Sequence, residues 1–164
     1  MRAIDLFARI YDLPPAVRNR LLSAGIPRVI PIAAGLRIKV LDVDDERAVT
    51  TMPYTRRASN HIGTLYIGAL LVQAETTMAT LVVGQCRPPA FRVLVKKNEA
   101  EFLARASGTV RCVCNPLDDE RAGLDRLRAL RNGKGEEWIT VHTESVDEGK
   151  PVCTVRFLVS VKHG

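Results

Sequence analysis

The chain has 164 residues, 46% of them apolar, 26% charged and 5% aromatic, with a formal charge of +6 and an isoelectric point near 9.5. Such a length supports one domain with a real core, and so few aromatic rings exclude a stacking platform for single-stranded nucleic acid. The positive charge suits an anionic partner such as a phosphorylated cofactor, nucleic acid or a membrane surface, yet no long block of like charges marks a nucleic-acid tail.

Taken in order, Ile4, Leu6, Phe7, Ile10 and Tyr11 have the spacing of a short amphipathic helix ending before Pro14 and Pro15. A second helix is expected at about 16–23, with Gly25 as its stop. Pro27 can open a further helical turn to about Ala34, before Gly35. The period then changes: Leu36, Ile38, Val40 and Val43 nearly alternate, Asp44 and Asp45 turn the chain, and residues 48–54 run back as a second strand. Arg56, Arg57, Ala58 and Ser59 form a polar lead into the central segment.

That segment, 60–86, begins as a polar loop and becomes a long helix that is apolar nearly all round. Gln73, Glu75, Thr76 and Thr77 interrupt it, which argues against a membrane span. A helix of this kind is expected to be buried on every side inside a wrapped sheet, and Glu75 would then be a buried carboxylate that must be paired, hydrogen-bonded or used. After it, Gln85 to Pro89 break the pattern. Phe91, Val93 and Val95 start a strand that can resume over 102–106, Gly108 marks a turn, and 109–114 form another strand. Residues 118–131 read as a helical insertion, acidic at Asp118, Asp119 and Glu120, with Leu124, Leu127 and Leu130 on one face. Two strands, 137–145 and 151–162, close the chain.

Four cysteines, Cys86, Cys112, Cys114 and Cys153, form no CxxC and no secreted framework. Cys112 and Cys114 fall two apart in a strand and are expected to share one face as small core groups. A zinc pair would need a second ligand pair at standard spacing, so no metal and no cofactor is expected. With no signal-peptide pattern, the expected setting is reducing and cytoplasmic. The order of elements gives an α+β class: an antiparallel sheet, mostly after the helix, curled around it.

The spacing Asn60-x-x-Gly63-x-x-Tyr66-x-Gly68, with Glu75 nine residues after Tyr66, resembles the hotdog fold. It is most similar to the small thioesterases of the phenylacetate-pathway type and a related thioesterase-like family without an assigned function. Their loop reads Asn-x-x-Gly-x-x-His-Gly-Gly, and an acidic residue follows the His by nine positions. Asn60, Gly63 and Gly68 match; Tyr66 stands in place of the His and Ile67 in place of the first Gly. The similarity covers 35–164, leaving 1–34 as an N-terminal helical extension of a single structural domain.

The resemblance implies an acyl-CoA or acyl-carrier thioesterase. Glu75 would be general base or nucleophile, backbone N–H groups near Gly68 would receive the oxyanion, and Asn60 would orient that donor or the acyl group. Gly63, Tyr66, Ile67 and Thr76 would line the substrate site, and Arg56 and Arg57, with Lys96 and Lys97 as further cations, are the nearest in sequence for coenzyme A phosphates. Seven residues separate Gly68 from Glu75, about 10.5 Å along one helix, so one carbonyl cannot meet both from the same chain. A homodimer or dimer of dimers follows. The alternative is a non-catalytic acyl or acyl-CoA binding module. A hotdog dehydratase would want a catalytic His on the central helix, which has none, and neither a nucleic-acid nor a membrane partner is expected. Thr76 and Thr77 are expected to bond back to their own helix, and Gln73 to be polar filler at a dimer interface. His61 is a loop histidine beside Asn60, and His142 and His163 have no evident partner.

Overall fold

The computed structural model describes residues 9–86, 91–130 and 132–163. Most of the first expected helix lies outside them; residues 9–10 are helical. Helix α1 (Pro15–Val29) starts on a proline, as first turns allow, but continues through both Gly25 and Pro27. Gly25 was the expected stop. Packing overrides that local preference, because α1 buries Leu22 and Ile26 against the sheet. A short 3-10 turn (Pro31–Gly35) leads to β1 (Lys39–Val43) and β2 (Ala48–Met52). The central helix α2 (Ile67–Cys86) follows, then β3 (Phe91–Phe102), β4 (Val110–Cys114), helix α3 (Asp118–Ala129), β5 (Gly133–Ser145) and β6 (Pro151–His163).

The six strands form one antiparallel sheet in the order β1-β2-β4-β5-β6-β3. The expected pause after Val95 is a bulge between Val95 and Lys97 within one continuous strand. All six strands contact α2, so the sheet curls around it. Helix α3 buries Leu124 and Leu127, and its Glu120 carboxylate accepts from Thr140 N (3.0 Å) and Thr140 Oγ1 (2.5 Å), tying it to β5.

By length and composition alone α2 could cross a membrane, so the interruptions at Gln73 to Thr77 do not decide the matter as the sequence suggested. Packing decides it: most of the helix is buried inside the fold. Nor is it buried all round. Ala74, Met78, Leu81 and Val82 are fully enclosed, whereas Ile67 and Glu75 are exposed and Gly68, Leu71, Val72, Ala79 and Val83 only partly covered. These positions recur at helical spacing and form one open stripe.

The two edges of the sheet differ. Along β1, α1 takes up free backbone groups: Asn19 Nδ2 donates to Leu41 O (2.8 Å), the Arg18 guanidinium donates to Val43 O, and Val40 N donates to Ser23 Oγ (2.9 Å). An edge protected this way cannot template another strand. Strand β3, at the other edge, is exposed from Lys96 to Phe102.

Within the core, Thr50 Oγ1 and Thr77 Oγ1 lie 2.7 Å apart, and Gln73 Nε2 donates to Thr50 Oγ1 at 3.3 Å. Gln73 is fully buried, which places it in the core and not at a surface, and its Oε1 has no hydrogen-bond partner among the described residues. An unpaired buried carbonyl is costly, whereas removing both ends of a weak pair is not. Gln73→Met is therefore expected to leave urea stability unchanged or raise it, while Thr50→Val should lower it by about 1–3 kcal/mol. The reverse ranking would mean that the Gln73 amide stabilises the core.

Cys112 and Cys114 share the inward face of β4, and all four cysteines are free and buried. Burial pushes the Cys86 and Cys112 thiols from 9.0 to about 11, and Cys114 well above its ordinary value. The folded state thus holds these protons more tightly than the unfolded chain. The associated stability is intact below pH 9 and lost as pH rises towards 11. Melting temperature should fall across that window, and a Cys86→Ala, Cys112→Ala variant should fall less steeply. An equal slope in both would remove these two thiols as the cause.

Candidate active site

The loop before α2 is built on Asn60. Its Oδ1 accepts from Ile62 N and Thr64 N, both at 3.1 Å, and its Nδ2 donates to Thr64 Oγ1 at 2.9 Å. Asn60 N donates to Thr64 O (2.8 Å) and Gly63 N to Asn60 O (3.2 Å), closing a turn that puts Gly63 at φ +76°. That left-handed conformation favours glycine. Leu65 N bonds to Ala106 O and Tyr66 N to Ala58 O, each at 2.8 Å, which docks the loop on the body of the fold. The Asn60 amide is used inside the loop and holds its turn together.

At the helix start, Ala69 N and Leu70 N both turn back to Tyr66 O. Among the described residues the N–H groups of Ile67 and Gly68 have no partner, as expected for first-turn donors at the positive end of a helix dipole. The side chains of Tyr66 and Ile67 are 55% and 50% exposed. The Tyr66 ring lies over Gly68: a Cβ there would sit 2.7 Å from Tyr66 Cε1. A side chain at 68 would have to displace the exposed Tyr66 ring.

Glu75 corrects the sequence reading most sharply. It is exposed, not buried, and no described residue pairs with it. Seven residues past Gly68, it faces the same way on the open stripe. Thr76 and Thr77 do bond back to their own helix, to Val72 O (2.7 Å) and Gln73 O (2.8 Å). Beside Glu75 on the same helix, Thr76, Ala79, Thr80 and Val83 face Ile26 and Val29 of α1 across an apolar cavity of about 110 Å³. The sequence reading missed this cavity, since nothing local says where α1 docks; the spacing 76, 79, 80, 83 was the available signal.

The other residues singled out are dispersed. Arg56 and Arg57 are exposed, with the Arg57 stem packed near Gly35. Lys96 pairs with Glu136 (3.0 Å) and Lys97 with Glu99 (2.8 Å) on the sheet surface. His61 is exposed, His142 Nδ1 lies 3.2 Å from Thr154 Oγ1, and the His163 side chain is outside the described residues. No group of three metal-ligating side chains forms among the described residues.

A family model described as a domain of unknown function (DUF4442) matches residues 18–161. The chain belongs to the DUF4442 family. No curated protein matches it. Among solved structures, this DUF4442 chain is similar to PA5026 of Pseudomonas aeruginosa, a protein of unknown function described as a probable thioesterase. They share 23% identity with a TM-score of 0.76, covering 93% of this chain and 97% of that one. The thioesterase HI1161 of Haemophilus influenzae is 18% identical with a TM-score of 0.66, covering 92% of each chain. PaaI of E. coli, from the phenylacetic acid degradation operon, is 16% identical with a TM-score of 0.62, covering 89% of this chain and 94% of that one. The DUF4442 chain shares the hotdog fold of these structures.

Asn60→Ala removes three hydrogen bonds from the loop. It is expected to lower the stability of the DUF4442 protein by about 1–2 kcal/mol in urea unfolding. Asn60→Asp keeps the two acceptor contacts and should lose less. Equal losses would show that the loop is held by its backbone alone.

Proposed function

We propose that this DUF4442 chain is an acyl-thioester hydrolase whose site is completed by two copies. The observation that carries the reading is the pairing, on one open stripe, of a solvent-facing carboxylate at Glu75 with unpaired N–H donors at Ile67 and Gly68. About 10.5 Å of helix rise separates them, too far for one carbonyl to touch both. The donors of one copy and Glu75 of the other then meet the same thioester. The exposed edge of β3 supports pairing with a second copy, since an uncovered strand edge is a ready interface. Ala100 and Phe102 are exposed there.

In the reaction, Glu75 takes a proton from water as the water oxygen bonds to the thioester carbonyl carbon. The charge developing on the carbonyl oxygen is met by the partner copy's helix-start donors. The C–S bond breaks, and the proton held by Glu75 passes to the thiolate leaving group. Direct attack by the carboxylate, followed by hydrolysis of the anhydride, is the nucleophilic form of the same scheme. Asn60 and Gly63 position the donor loop, Tyr66, Ile67 and Thr76 contact the acyl-thioester end, and Arg56 and Arg57 meet phosphates of coenzyme A or of a carrier's prosthetic arm.

One observation favours a second reading. The Tyr66 ring covers Gly68, and Ile67 carries a Cβ where a substrate would approach bare backbone. An acyl-CoA binding module without turnover fits that crowding. Thiol release from a panel of acyl-CoAs, followed with a thiol-reactive dye, separates the two; the buried cysteines contribute little background. Turnover that falls roughly a hundredfold or more in Glu75→Gln is the expected result. Turnover unaffected by that change overturns Glu75's role, and binding without turnover selects the second reading.

A further inference from the structure

The cavity between α1 and α2 borders the open stripe that carries Glu75: Ala79 and Val83 belong to both, while Thr76 and Thr80 form its buried side. Ala79 is one turn beyond Glu75, and Val83 one turn beyond that, so the cavity runs away from the carboxylate along α2. Its walls offer little to a polar ligand. Thr76 Oγ1 donates to Val72 O and Thr80 Oγ1 to Thr76 O, both at 2.7 Å, so both hydroxyls are spent on the helix backbone. Ile26 and Val29 of α1 complete an aliphatic lining.

Among the described residues, Tyr11 closes the end away from Glu75. Tyr11 is buried, and its hydroxyl donates to Thr80 O at 2.5 Å. Its ring presses on the helix where residue 84 has no side chain: a Cβ on Gly84 would lie 2.6 Å from Tyr11 Cε1. The position of the ring is therefore fixed from two sides, by a hydrogen bond and by a glycine notch. The volume of about 110 Å³ is smaller than the roughly 150 Å³ of an apolar cavity that holds benzene, and corresponds to about four aliphatic carbons.

Resting on the hydrolase reading above, we infer that this cavity receives the acyl chain and that Tyr11, seated on Gly84, is the residue that limits the chain to short aliphatic groups. The N-terminal helical segment is then part of the substrate site. Tyr11 sets chain length by occupying space and takes no part in the chemistry.

The test uses a ladder of non-hydrolysable alkyl-CoA thioethers, from two to ten carbons, with binding measured by calorimetry on the full chain. Wild type should gain about fourfold in affinity per methylene until the cavity is full, near four carbons, and then level off. In Tyr11→Ala the fourfold steps should continue past that point, and in Ala79→Leu, which fills the cavity, they should stop earlier. Should Tyr11→Ala fail to fold, Ala79→Leu carries the test alone. Absence of thioether binding, or an unmoved break point in the variants, overturns the inference. The matching thioesters are run in parallel for thiol release. A break point in binding without turnover leaves the cavity standing and removes the hydrolase; turnover without any break point does the reverse.

Discussion

The structure depends on one constraint: a twenty-residue helix too apolar to stand in water must be wrapped, and a six-stranded sheet wraps most but not all of it. Enclosure of Met78, Leu81 and Val82 fixes the helix against the inner face of the sheet. The stripe left open is consequently rigid, because the other side of the same helix is buried. Helix-start donors, an exposed carboxylate and two residues of the cavity wall, Ala79 and Val83, sit on that stripe. Groups on one regular helix keep their spacing without any loop to hold them.

The N-terminal segment has two roles in this arrangement. Through Arg18, Asn19 and Ser23 it satisfies the backbone of β1 and closes that edge. Through Ile26 and Val29 it forms one side of the cavity along α2. With β1 covered, β3 is the long strand left open at the other edge. In the proposed dimer, this asymmetry would direct pairing to β3, and that pairing would bring the two halves of the proposed site together.

Much of the fold was legible from periodicity. The change from helical spacing to alternation near residue 36, the long apolar run after Gly68, and the acidic start of 118–129 each reflect local physics, and the strand pairing follows from them. The misreadings share a cause, which is tertiary packing. Gly25 did not stop α1 because Leu22 and Ile26 are held by the sheet. The 67–86 run looked buried all round because residues such as Leu71, Val72 and Val83 do not declare which of them is covered. Glu75 was placed correctly in the helix and wrongly in the interior for the same reason. At the loop, Asn60, Gly63 and Gly68 were visible by spacing, but the three internal hydrogen bonds of Asn60 and the ring of Tyr66 over Gly68 were not. The spacing 76, 79, 80, 83 gave one wall of the cavity but not its partner, since the other wall comes from a segment some fifty residues away.

The central claim is that donors near Gly68 and the carboxylate of Glu75 act on one thioester from two copies of the chain. Mixing two defective proteins tests it directly: Glu75→Gln and Gly68→Val, the second placing a side chain where the Tyr66 ring lies. Each alone should be nearly inactive. Co-refolded in equal amounts, half the dimers are mixed and one of their two sites is intact, so thiol release should return to about a quarter of wild type. Activity no higher than that of either protein alone would contradict a site shared between copies.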